Sequence, residues 1–423
     1  MEYSMYYCPE CGKKYKVKGE GRSITCKSCT GVYLIKKSLT FVHISDLHLG
    51  KNLCDMDLID DQRYILMQII GIIKNKAVDG VFISGDIYDR AVPSEAATEL
   101  LNEFLEELSK LKINIFIISG NHDSDERLNY GSRLFESSHI YISAKYRGKL
   151  FKYTMNDGDG EVDIYMLPFI KASTVKNMFP DADISSYNDA LRVVIENEHI
   201  DPQRRNILLA HQFVAGKGKD PRISGSESVA TQCVGTVEKV GYDLFDAFDY
   251  VALGHIHSPQ SVGREEIRYS GSPLKYSLSE VNDNKSVPII TMGPKGNTEI
   301  ELVALKPLRN LRHLKGNMSD LLRNDNIVFP NDYIYITLTD EDIQNDAMHI
   351  CRQRYPYTVK VDYENSHTKQ IENADIDIKI RNKSFDEVIR DFYSAMYGSD
   401  ISDDEMKVMM ETAKEAGVIN EAG

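Results

Sequence analysis

The chain has 423 residues, of which 42% are hydrophobic and 27% are charged, and its formal net charge is −14 at pH 7. This length and composition predict about two or three domains with ordinary hydrophobic cores and exclude a disordered protein. No stretch approaches the roughly 18 apolar residues of a membrane span, and the first residues lack a secretory signal. We therefore expect a cytoplasmic protein without membrane contact.

The first residues carry two cysteine pairs, which predict a separate module. Cys8 and Cys11 form one Cys-x-x-Cys pair, Cys26 and Cys29 form the other, and fourteen residues separate them. Four thiolates at this spacing can bind one tetrahedral Zn²⁺, which would supply the folding energy that so short a segment lacks. A redox dithiol is the alternative, but that role needs only one pair. We expect a zinc ribbon over residues 1–37 with one structural Zn²⁺.

The role of this ribbon stays open between a docking or stabilising module and a contact with nucleic acid or a partner. Residues 1–40 have eight basic and three acidic side chains, whereas residues 384–423 have three basic and ten acidic ones. These opposite charges indicate different partners at the two ends. The basic candidates in the ribbon are Lys13, Lys14, Lys16, Lys18, Arg22 and Lys27.

Residues 38–303 alternate short apolar runs with helical patterns, which predicts a layered α/β domain. Between the first strands, Ile65, Ile69 and Ile73 share one helical face, and Ser94 is the expected N-cap of the next helix. The strands are rich in Ile, Val and Phe, as in sheets buried on both faces. They are predicted at Leu39–Ile44, Val81–Ile83, Ile113–Ile118, Ile207–Ala210 and Tyr250–Leu253.

Each of these strands is followed by side chains that can bind a metal ion. Ligands gather at the carboxyl ends of strands in α/β sheets, so we expect these side chains to meet. Oxygen and imidazole ligands without thiolate suit manganese, iron or zinc. The residues are Asp46 and His48, then Asp86, then Asn121, His122 and Asp123, then His211, and finally His255 and His257.

The order of these motifs resembles the calcineurin-like metallophosphoesterases. Within that family, the sequences around these motifs are similar to those of the SbcD branch. SbcD proteins are the nuclease subunits of bacterial SbcC–SbcD DNA-repair complexes. The resemblance runs from about residue 39 to the end, is strongest up to Glu280, and leaves the ribbon outside. Five segments carry it: HISDLHLGKNL, ISGDIYDRAVPS, GNHDSDERLN, FDYVALGHIHSPQ and YSGSPLKYSLSE.

The resemblance implies a layered metallophosphoesterase sandwich that binds two divalent metal ions, expected to be Mn²⁺. A carboxylate shared by two cations offsets their repulsion, and the cations activate water and neutralise charge on the phosphate oxygens. The implied ligands of the first metal are Asp46, His48, Asp86 and His257. Those of the second are Asp86, Asn121, His211 and His255.

The resemblance also implies catalytic residues. His122 is expected to stabilise the transition state or to protonate the leaving oxygen. Asp123 is expected to orient the ring of His122. Archaeal and eukaryotic relatives carry a second histidine three residues after the bridging aspartate, where this chain has Asp89, so the role of Asp89 is left open. His43, inside the first strand, is expected to be a hydrogen-bonded core residue.

Basic residues near the motifs are candidates for phosphate contacts. Solvated surface charge is an equally good interpretation of any one of them. They are Arg63, Arg90, Arg127, Lys217, Lys219 and Arg222.

Residues 304–375 have the pattern of a small α+β unit, which the resemblance implies is a capping domain that shapes DNA access. Strands are predicted at Tyr333–Leu338 and Thr358–Val361, with a helix at Ala347–Tyr355. Residues 376–423 are predicted to be a linker and a helical hairpin.

The hairpin carries two apolar stripes, and its second helix begins with a capping box. Such a pair packs either on its own domain or, as the resemblance implies, on the coiled coil of an SbcC-like ATPase. The first stripe is Phe385, Val388, Ile389, Phe392, Tyr393 and Met396, ahead of Gly398. The second is Met406, Met409, Met410 and Ala413, after Ser402 and Glu405.

The predicted function is that of a DNA nuclease subunit, an exonuclease on duplex ends and an endonuclease on single strands and hairpins. The expected partners are DNA and an SbcC-like ATPase, with a homodimer of this chain inside a heterotetramer. The alternative is a stand-alone metallophosphoesterase acting on a small phosphodiester or a phosphoprotein. A DNA-end tether without catalysis is disfavoured, because every expected ligand position is filled.

Overall fold

The computed structural model divides the chain into two compact units, Met1–Leu311 and Arg312–Gly423. No helix among the residues it describes is long and apolar enough to cross a membrane. These residues are 3–8, 10–11, 13–18, 24–29, 32–33, 35–36, 38–216, 220–224, 239–323, 327–366, 386–387, 389–390, 393–394 and 400–415.

The first unit begins with a small sheet. Its strands are β1 (Tyr3–Tyr7), β2 (Lys14–Lys18) and β3 (Ile35–Lys36), in the spatial order β2-β1-β3. So small a sheet buries little apolar surface, and its cluster centres on the cysteines Cys8 and Cys26.

The remaining elements of the first unit alternate strands and helices. In chain order they are β4 (Leu39–Ile44), β5 (Asn52–Leu53), β6 (Met56–Asp57), α1 (Ile59–Lys76), β7 (Gly80–Ser84), α2 (Glu95–Ser109), β8 (Asn114–Ile118), α3 (Asp125–Leu128), α4 (Ser132–Phe135), β9 (Ile140–Ser143), β10 (Phe151–Asp157), β11 (Gly160–Leu167), α5 (Ala172–Met178), α6 (Tyr187–Asn197), β12 (Arg205–His211), β13 (Val214–Ala215), β14 (Val240–Gly241), β15 (Tyr250–Gly254), β16 (Gln260–Val262), β17 (Arg264–Tyr269), β18 (Ser286–Met292) and β19 (Thr298–Ala304). Short 3-10 turns lie at Glu136–Ser138, Tyr242–Phe245 and Leu278–Glu280.

Two six-stranded sheets form the body of this unit. One has the order β19-β18-β4-β7-β8-β9, and the other has the order β10-β11-β12-β15-β17-β16. Phe41, Phe82 and Phe116 of the first sheet share one buried cluster with Ile207 and Tyr250 of the second. The sheets therefore pack face to face, which confirms the layered α/β sandwich.

The helices bury the faces that the sequence predicts. Ile65, Ile69 and Ile73 of α1 are buried, and Phe104 is buried in α2. The Ser94 side chain accepts a hydrogen bond from the backbone N–H of Ala97, which confirms the N-cap of α2.

The second unit contains a three-stranded sheet in the order β20-β21-β22, with β21 and β22 parallel. Its core is made by Ile334, Ile336, Leu338, Cys351 and Tyr355. The elements are β20 (Leu311–Gly316), α7 (Met318–Leu321), β21 (Tyr333–Leu338), α8 (Ala347–Arg352), β22 (Thr358–Tyr363) and α9 (Asp403–Glu415).

The second predicted helix of the C-terminal hairpin is present as α9. Ser402 and Glu405 form the predicted capping box, each side chain bonding to the other's backbone N–H. Met406 is buried with Ile389 and Ile401, whereas Met409, predicted on the same stripe, is 42% exposed. The predicted positions Phe385, Val388, Phe392, Met396 and Gly398 lie outside the described residues.

Candidate metal centre

All seven predicted metal ligands lie at or just beyond the carboxyl ends of five strands. Four of them, Asp46, His48, Asp86 and His255, have positive φ angles of 52°, 42°, 50° and 99°. This backbone conformation is unfavourable for residues other than glycine and persists where surrounding contacts fix it. The strands are β4 for Asp46 and His48, β7 for Asp86, β8 for Asn121, β12 for His211, and β15 for His255 and His257.

One group of ligand atoms comprises Asp46, His48 and His257, which lie within 4.8 Å of one another. The Nε2 atoms of His48 and His257 are only 3.0 Å apart. Two ring nitrogens that face each other at this distance offer at least one lone pair to a shared cation. These three residues are three of the four ligands implied for the first metal.

A second group surrounds Asp86. Its Oδ2 atom lies 3.4 Å from Nε2 of His211 and 3.4 Å from Nε2 of His48. The Oδ1 atom of Asn121 lies 3.1 Å from Nε2 of His211 and 3.0 Å from Nδ1 of His255. Asp86 thus lies between the two groups, at the place where a shared carboxylate is expected.

The electrostatics of this cluster favour a cation. Burial raises the pKa of Asp86, but the neighbouring His211, His48 and His122 outweigh burial and hold this pKa well below its usual value. Burial lowers the pKa of His211, yet Asp86 raises it to about 9. Among the described residues, the ion pairs of Asp86 are with histidines and not with Lys or Arg. Buried carboxylates beside imidazoles fit a pair of divalent ions.

Two motif glycines allow this close packing. A Cβ atom on Gly120 would lie 2.1 Å from Oδ1 of Asp86. Gly85 has a φ of +86°, and a Cβ atom there would lie 2.3 Å from Nδ1 of His211. Both positions therefore require glycine.

Comparison with known proteins assigns the family. A family model for calcineurin-like phosphoesterases matches residues 39–259, and one described as a type 5 capsule protein repressor C-terminal domain matches residues 307–397. A relative from Staphylococcus epidermidis, by name the SbcD component of the nuclease SbcCD, is 35% identical over 369 residues, covering 86% of this chain and 95% of its own. This chain belongs to the SbcD family of calcineurin-like phosphoesterases.

A second SbcD relative, from Staphylococcus saprophyticus, is 34% identical over 375 residues, covering 87% of this chain and 96% of its own. A solved dimetal phosphatase from Danio rerio covers 63% of this chain and 99% of its own at 12% identity, but its TM-score of 0.33 is too low to add to the fold assignment. As a member of the SbcD family, the chain is a metal-dependent phosphodiesterase of the nuclease type. Residues 1–38 lie outside both matched family ranges.

His122 lies at the edge of the ligand cluster and is half-buried. Its ring Nδ1 is 2.9 Å from the backbone carbonyl of Asp89, and its ring contacts that of His48 edge-on at 4.8 Å. Its backbone N–H donates to Oδ1 of Asp86 at 2.9 Å. Because the carbonyl can only accept, Nδ1 carries a proton and Nε2 is the atom available for proton transfer.

Asp123 is buried beside His122 and bonds to the backbone of two loops. Its carboxylate accepts hydrogen bonds from the backbone N–H groups of Ile87, Tyr88 and Gly120, and not from the ring of His122. Burial and the charge of Asp86 raise the pKa of Asp123 to about 6. The role of Asp123 in orienting His122 stays a prediction, and the contacts of its oxygens are with the loop backbone. Asp123 instead joins the two loops that hold Asp86 and His122.

Asp89 contributes through its carbonyl group and its side chain. The carbonyl oxygen accepts from His122, while the carboxylate pairs with Lys51 at 2.6 Å and lies 3.5 Å from Nδ1 of His48. Burial raises the pKa of Asp89, but His48 and Lys51 bring it below its usual value. Asp89 thus contacts both His48 and His122 without belonging to the predicted ligand set.

Gln62 and Tyr276 support the loop of His48 and were missed in the sequence. The Gln62 amide donates to the carbonyl of His48 at 2.8 Å, and Tyr276 donates from its hydroxyl to the carbonyl of Leu47 at 2.5 Å. The ring of Tyr276 also lies edge-on to that of His257 at 6.0 Å. Tyr276 falls in the quoted segment YSGSPLKYSLSE, which was the only available signal for it.

Four of the six predicted phosphate contacts lie among the described residues. Arg63 pairs with Glu103, and Arg222 pairs with Asp283 at 2.7 Å. Arg90 and Arg127 are exposed, and Nε of Arg90 lies 3.8 Å from the Asp89 carboxylate. Lys217 and Lys219 lie outside the described residues. His43 is buried with Nδ1 3.0 Å from the Tyr250 hydroxyl, which confirms the predicted core residue.

The ribbon cysteines form a separate cluster. The Sγ atoms of Cys8, Cys11, Cys26 and Cys29 all lie within 4.8 Å of one another. The Tyr15 hydroxyl lies 3.1 Å from Sγ of Cys26, and this contact is the main reason why the pKa of Cys26 falls to about 6. Hydrogen bonding to Cys11 raises the pKa of Cys29 to about 12. Four converging sulfur atoms are the donor set of a structural metal ion.

Proposed function

We propose that this chain cleaves DNA, as an exonuclease on duplex ends and an endonuclease on single strands and hairpins, together with an SbcC-type ATPase in repair and recombination. The proposal is supported by the convergence of potential ligands in a chain related to named SbcCD nucleases: five of them lie in groups around Asp46 and Asp86, and Asn121 bonds to His211 and His255. A cytoplasmic location and a homodimer within a heterotetramer belong to the same proposal. The same proposal divides the chain into four parts: a zinc ribbon at 1–37, a nuclease domain at 38–303, a capping domain at 304–375 and a partner-binding segment at 376–423.

Two Mn²⁺ ions are the proposed cofactors of the cluster. When bound, such ions supply Lewis-acid charge on the phosphate and make water a stronger nucleophile. The proposed ligands of the first ion are Asp46, His48, Asp86 and His257. Those of the second are Asp86, Asn121, His211 and His255.

His122 is the proposed catalytic residue. Its Nδ1–H donates to the carbonyl of Asp89, which leaves Nε2 outside this contact and available to a substrate. When the ring carries a second proton on Nε2, that atom donates a hydrogen bond or the proton itself to the oxygen that leaves phosphorus, and transfer of the proton returns the ring to its neutral form. Asp123 is not assigned this contact, since its oxygens bond to the backbone.

The function is tested with the purified chain on defined substrates in Mn²⁺. Blunt duplex and hairpin oligonucleotides are compared with a phosphopeptide and with bis(4-nitrophenyl) phosphate, with and without the ATPase and ATP. We expect DNA cleavage, abolished by EDTA and extended on duplex ends by the ATPase with ATP. Faster hydrolysis of the phosphopeptide than of DNA would instead establish the stand-alone phosphoesterase.

The cysteine cluster is proposed to bind one structural Zn²⁺. Replacing Cys26 and Cys29 by serine should release about one zinc per chain, because two oxygens replace two of the four thiolates. Manganese-dependent hydrolysis should persist, since the second cluster shares no residue with the first. Metal content is measured by mass spectrometry in protein purified without chelator. Wild-type protein without zinc would contradict the assignment.

The C-terminal segment is the proposed contact with the ATPase. Along α9, Val408 is 60% exposed and Met409 is 42% exposed, while Met406 is buried against Ile389 and Ile401. Part of the apolar surface therefore packs within the segment, and part remains open to a partner. Exposed methionine and valine side chains suit an apolar contact with a coiled coil.

Deleting residues 380–423 should leave metal binding and phosphodiester hydrolysis intact, because no proposed ligand lies beyond His257. Binding to the ATPase should be lost. The double change Val408→Glu and Met409→Glu should weaken this binding by at least about tenfold, since burying two apolar side chains contributes several kcal/mol. Co-purification and titration calorimetry measure the affinity for the ATPase, and Lys407→Gln on the same helix is the matched control. Full partner affinity of the truncated chain would favour packing on its own domain.

A further inference from the structure

Glu280 has no role in the chemistry described above, although it ends the quoted segment YSGSPLKYSLSE. It lies in the 3-10 turn Leu278–Glu280 and is completely buried. Its Oε1 atom is 3.7 Å from Nδ1 of His257, and its Oε2 atom accepts from Nζ of Lys285 at 2.6 Å. Burying a carboxylate costs free energy unless it is paired, so the presence of Glu280 beside His257 needs a physical explanation.

Lys285 anchors the carboxylate. It is buried, and its Nζ atom also donates to the carbonyl of His257 at 2.8 Å and to the hydroxyl of Ser272 at 2.9 Å. The ammonium group therefore joins Glu280 to the backbone of the ligand it faces. The position of the carboxylate relative to the His257 ring is fixed by three contacts of one lysine.

The ring of His257 can bind a cation through Nε2 only when its proton is on Nδ1. Its Nε2 atom faces Nε2 of His48 at 3.0 Å, while its Nδ1 atom faces the Glu280 carboxylate. At 3.7 Å this contact is longer than a hydrogen bond and acts through charge. A negative charge beside Nδ1 favours the proton there and makes Nε2 a more basic donor.

The second proposed metal lacks such a charge behind its ligand His211. The Nδ1 atom of His211 lies 2.8 Å from the backbone carbonyl of Ser84, a neutral acceptor. Loss of the Glu280 charge should therefore affect one metal position and spare the other.

We propose that Glu280, anchored by Lys285, is a positioning residue that holds His257 in the tautomer with Nε2 free to bind the first metal. The inference rests on the metal ligands proposed above. It adds a carboxylate–histidine–metal arrangement that depends on residues beyond the last ligand in the chain.

The test is Glu280→Gln in the full chain, freed of metal and titrated with Mn²⁺ while electron paramagnetic resonance counts the free ion. One of the two sites should weaken by about 10- to 100-fold, as for other carboxylates behind metal-bound histidines. The second site should keep its affinity. Hydrolysis of bis(4-nitrophenyl) phosphate should recover at high Mn²⁺, so that the Mn²⁺ requirement rises while kcat changes little.

Asp283→Asn is the matched control. Asp283 is buried and lies 3.8 Å from Lys285, and it accepts hydrogen bonds from Ser258 and from Arg222, none of which is a proposed ligand. It should bind both ions as the wild type does. Glu280→Gln alone leaves the buried ammonium group of Lys285 without its carboxylate, which could unfold the protein. The double variant Glu280→Gln with Lys285→Met removes that ammonium group as well, so that a loss of metal affinity can be measured in a folded protein.

Wild-type affinity at both sites in a folded Glu280→Gln or double variant would overturn the inference. Equal weakening of both sites, shared by Asp283→Asn, would also overturn it and indicate a structural role. Wild-type protein that binds no Mn²⁺ would overturn the metal-site proposal itself, which is a distinct result.

Discussion

Replacing Asp86 by alanine should remove both metal ions and lower hydrolysis by at least about a thousandfold, since the Lewis-acid charge contributes several kcal/mol to the transition state. Asp86 lies 3.4 Å from His48 in one group and 3.4 Å from His211 in the other, so both sites lose the same carboxylate. The measurement is Mn²⁺ content by mass spectrometry alongside hydrolysis of a DNA duplex.

Asp163→Ala is the control for this experiment. Asp163 on β11 is also a buried carboxylate, but its partners are the basic side chains of Lys152 and Arg204. It should lose stability and keep both metals. Retention of two tightly bound ions by a folded Asp86→Ala protein would show that Asp86 is not the shared ligand.

Replacing His122 by alanine should leave both metals bound and lower DNA cleavage by about 10²- to 10⁴-fold, the usual contribution of a general acid or base. A ligand atom of His122 lies within 4.8 Å of those of His48 and Asp86, but Nδ1 of His122 is bonded to the Asp89 carbonyl, and the proposed ligand sets do not include this ring. The rates are measured at saturating Mn²⁺ with metal content determined in parallel. His349→Ala, an exposed position on α8, serves as the control.

The leaving group separates two roles of His122. Nitrophenolate leaves without a proton, whereas the sugar oxygen of DNA needs one. If His122 is the acid, the loss on bis(4-nitrophenyl) phosphate should be much smaller than the loss on DNA. Equal losses on both substrates would indicate stabilisation of the phosphate charge instead. Loss of both metals would contradict either role.

Much of the fold was predictable because it depends on local pattern. The strand predicted at Leu39–Ile44 is observed with those bounds, and the one predicted at Tyr250–Leu253 extends by one residue as β15. Runs of Ile, Val and Phe specify buried strands wherever they occur. Register and the pairing of strands distant in the chain, such as β18 with β4, were not predictable, because they depend on which faces meet in space.

The predicted ligands were found together because residue type and position after a strand are both visible in the sequence. The contacts of Asp123 were not predictable, because its neighbours are backbone N–H groups, which no residue letter reveals. Glu280 was missed for a related reason. Its partner Lys285 is near in sequence, but the side chain it faces, His257, reaches it only through the fold.

Spacing and periodicity are local properties of the chain, and they predicted the layered α/β class, the candidate ligands after each strand and the cysteine cluster. The division of those ligands into two sets came from the family resemblance. Only the tertiary structure decided the distances on which chemistry depends. His48 and His257 are 209 positions apart, yet their Nε2 atoms meet at 3.0 Å. That meeting requires both sheets of the sandwich to pack with their strand ends side by side, and packing of this kind is a property of the whole core.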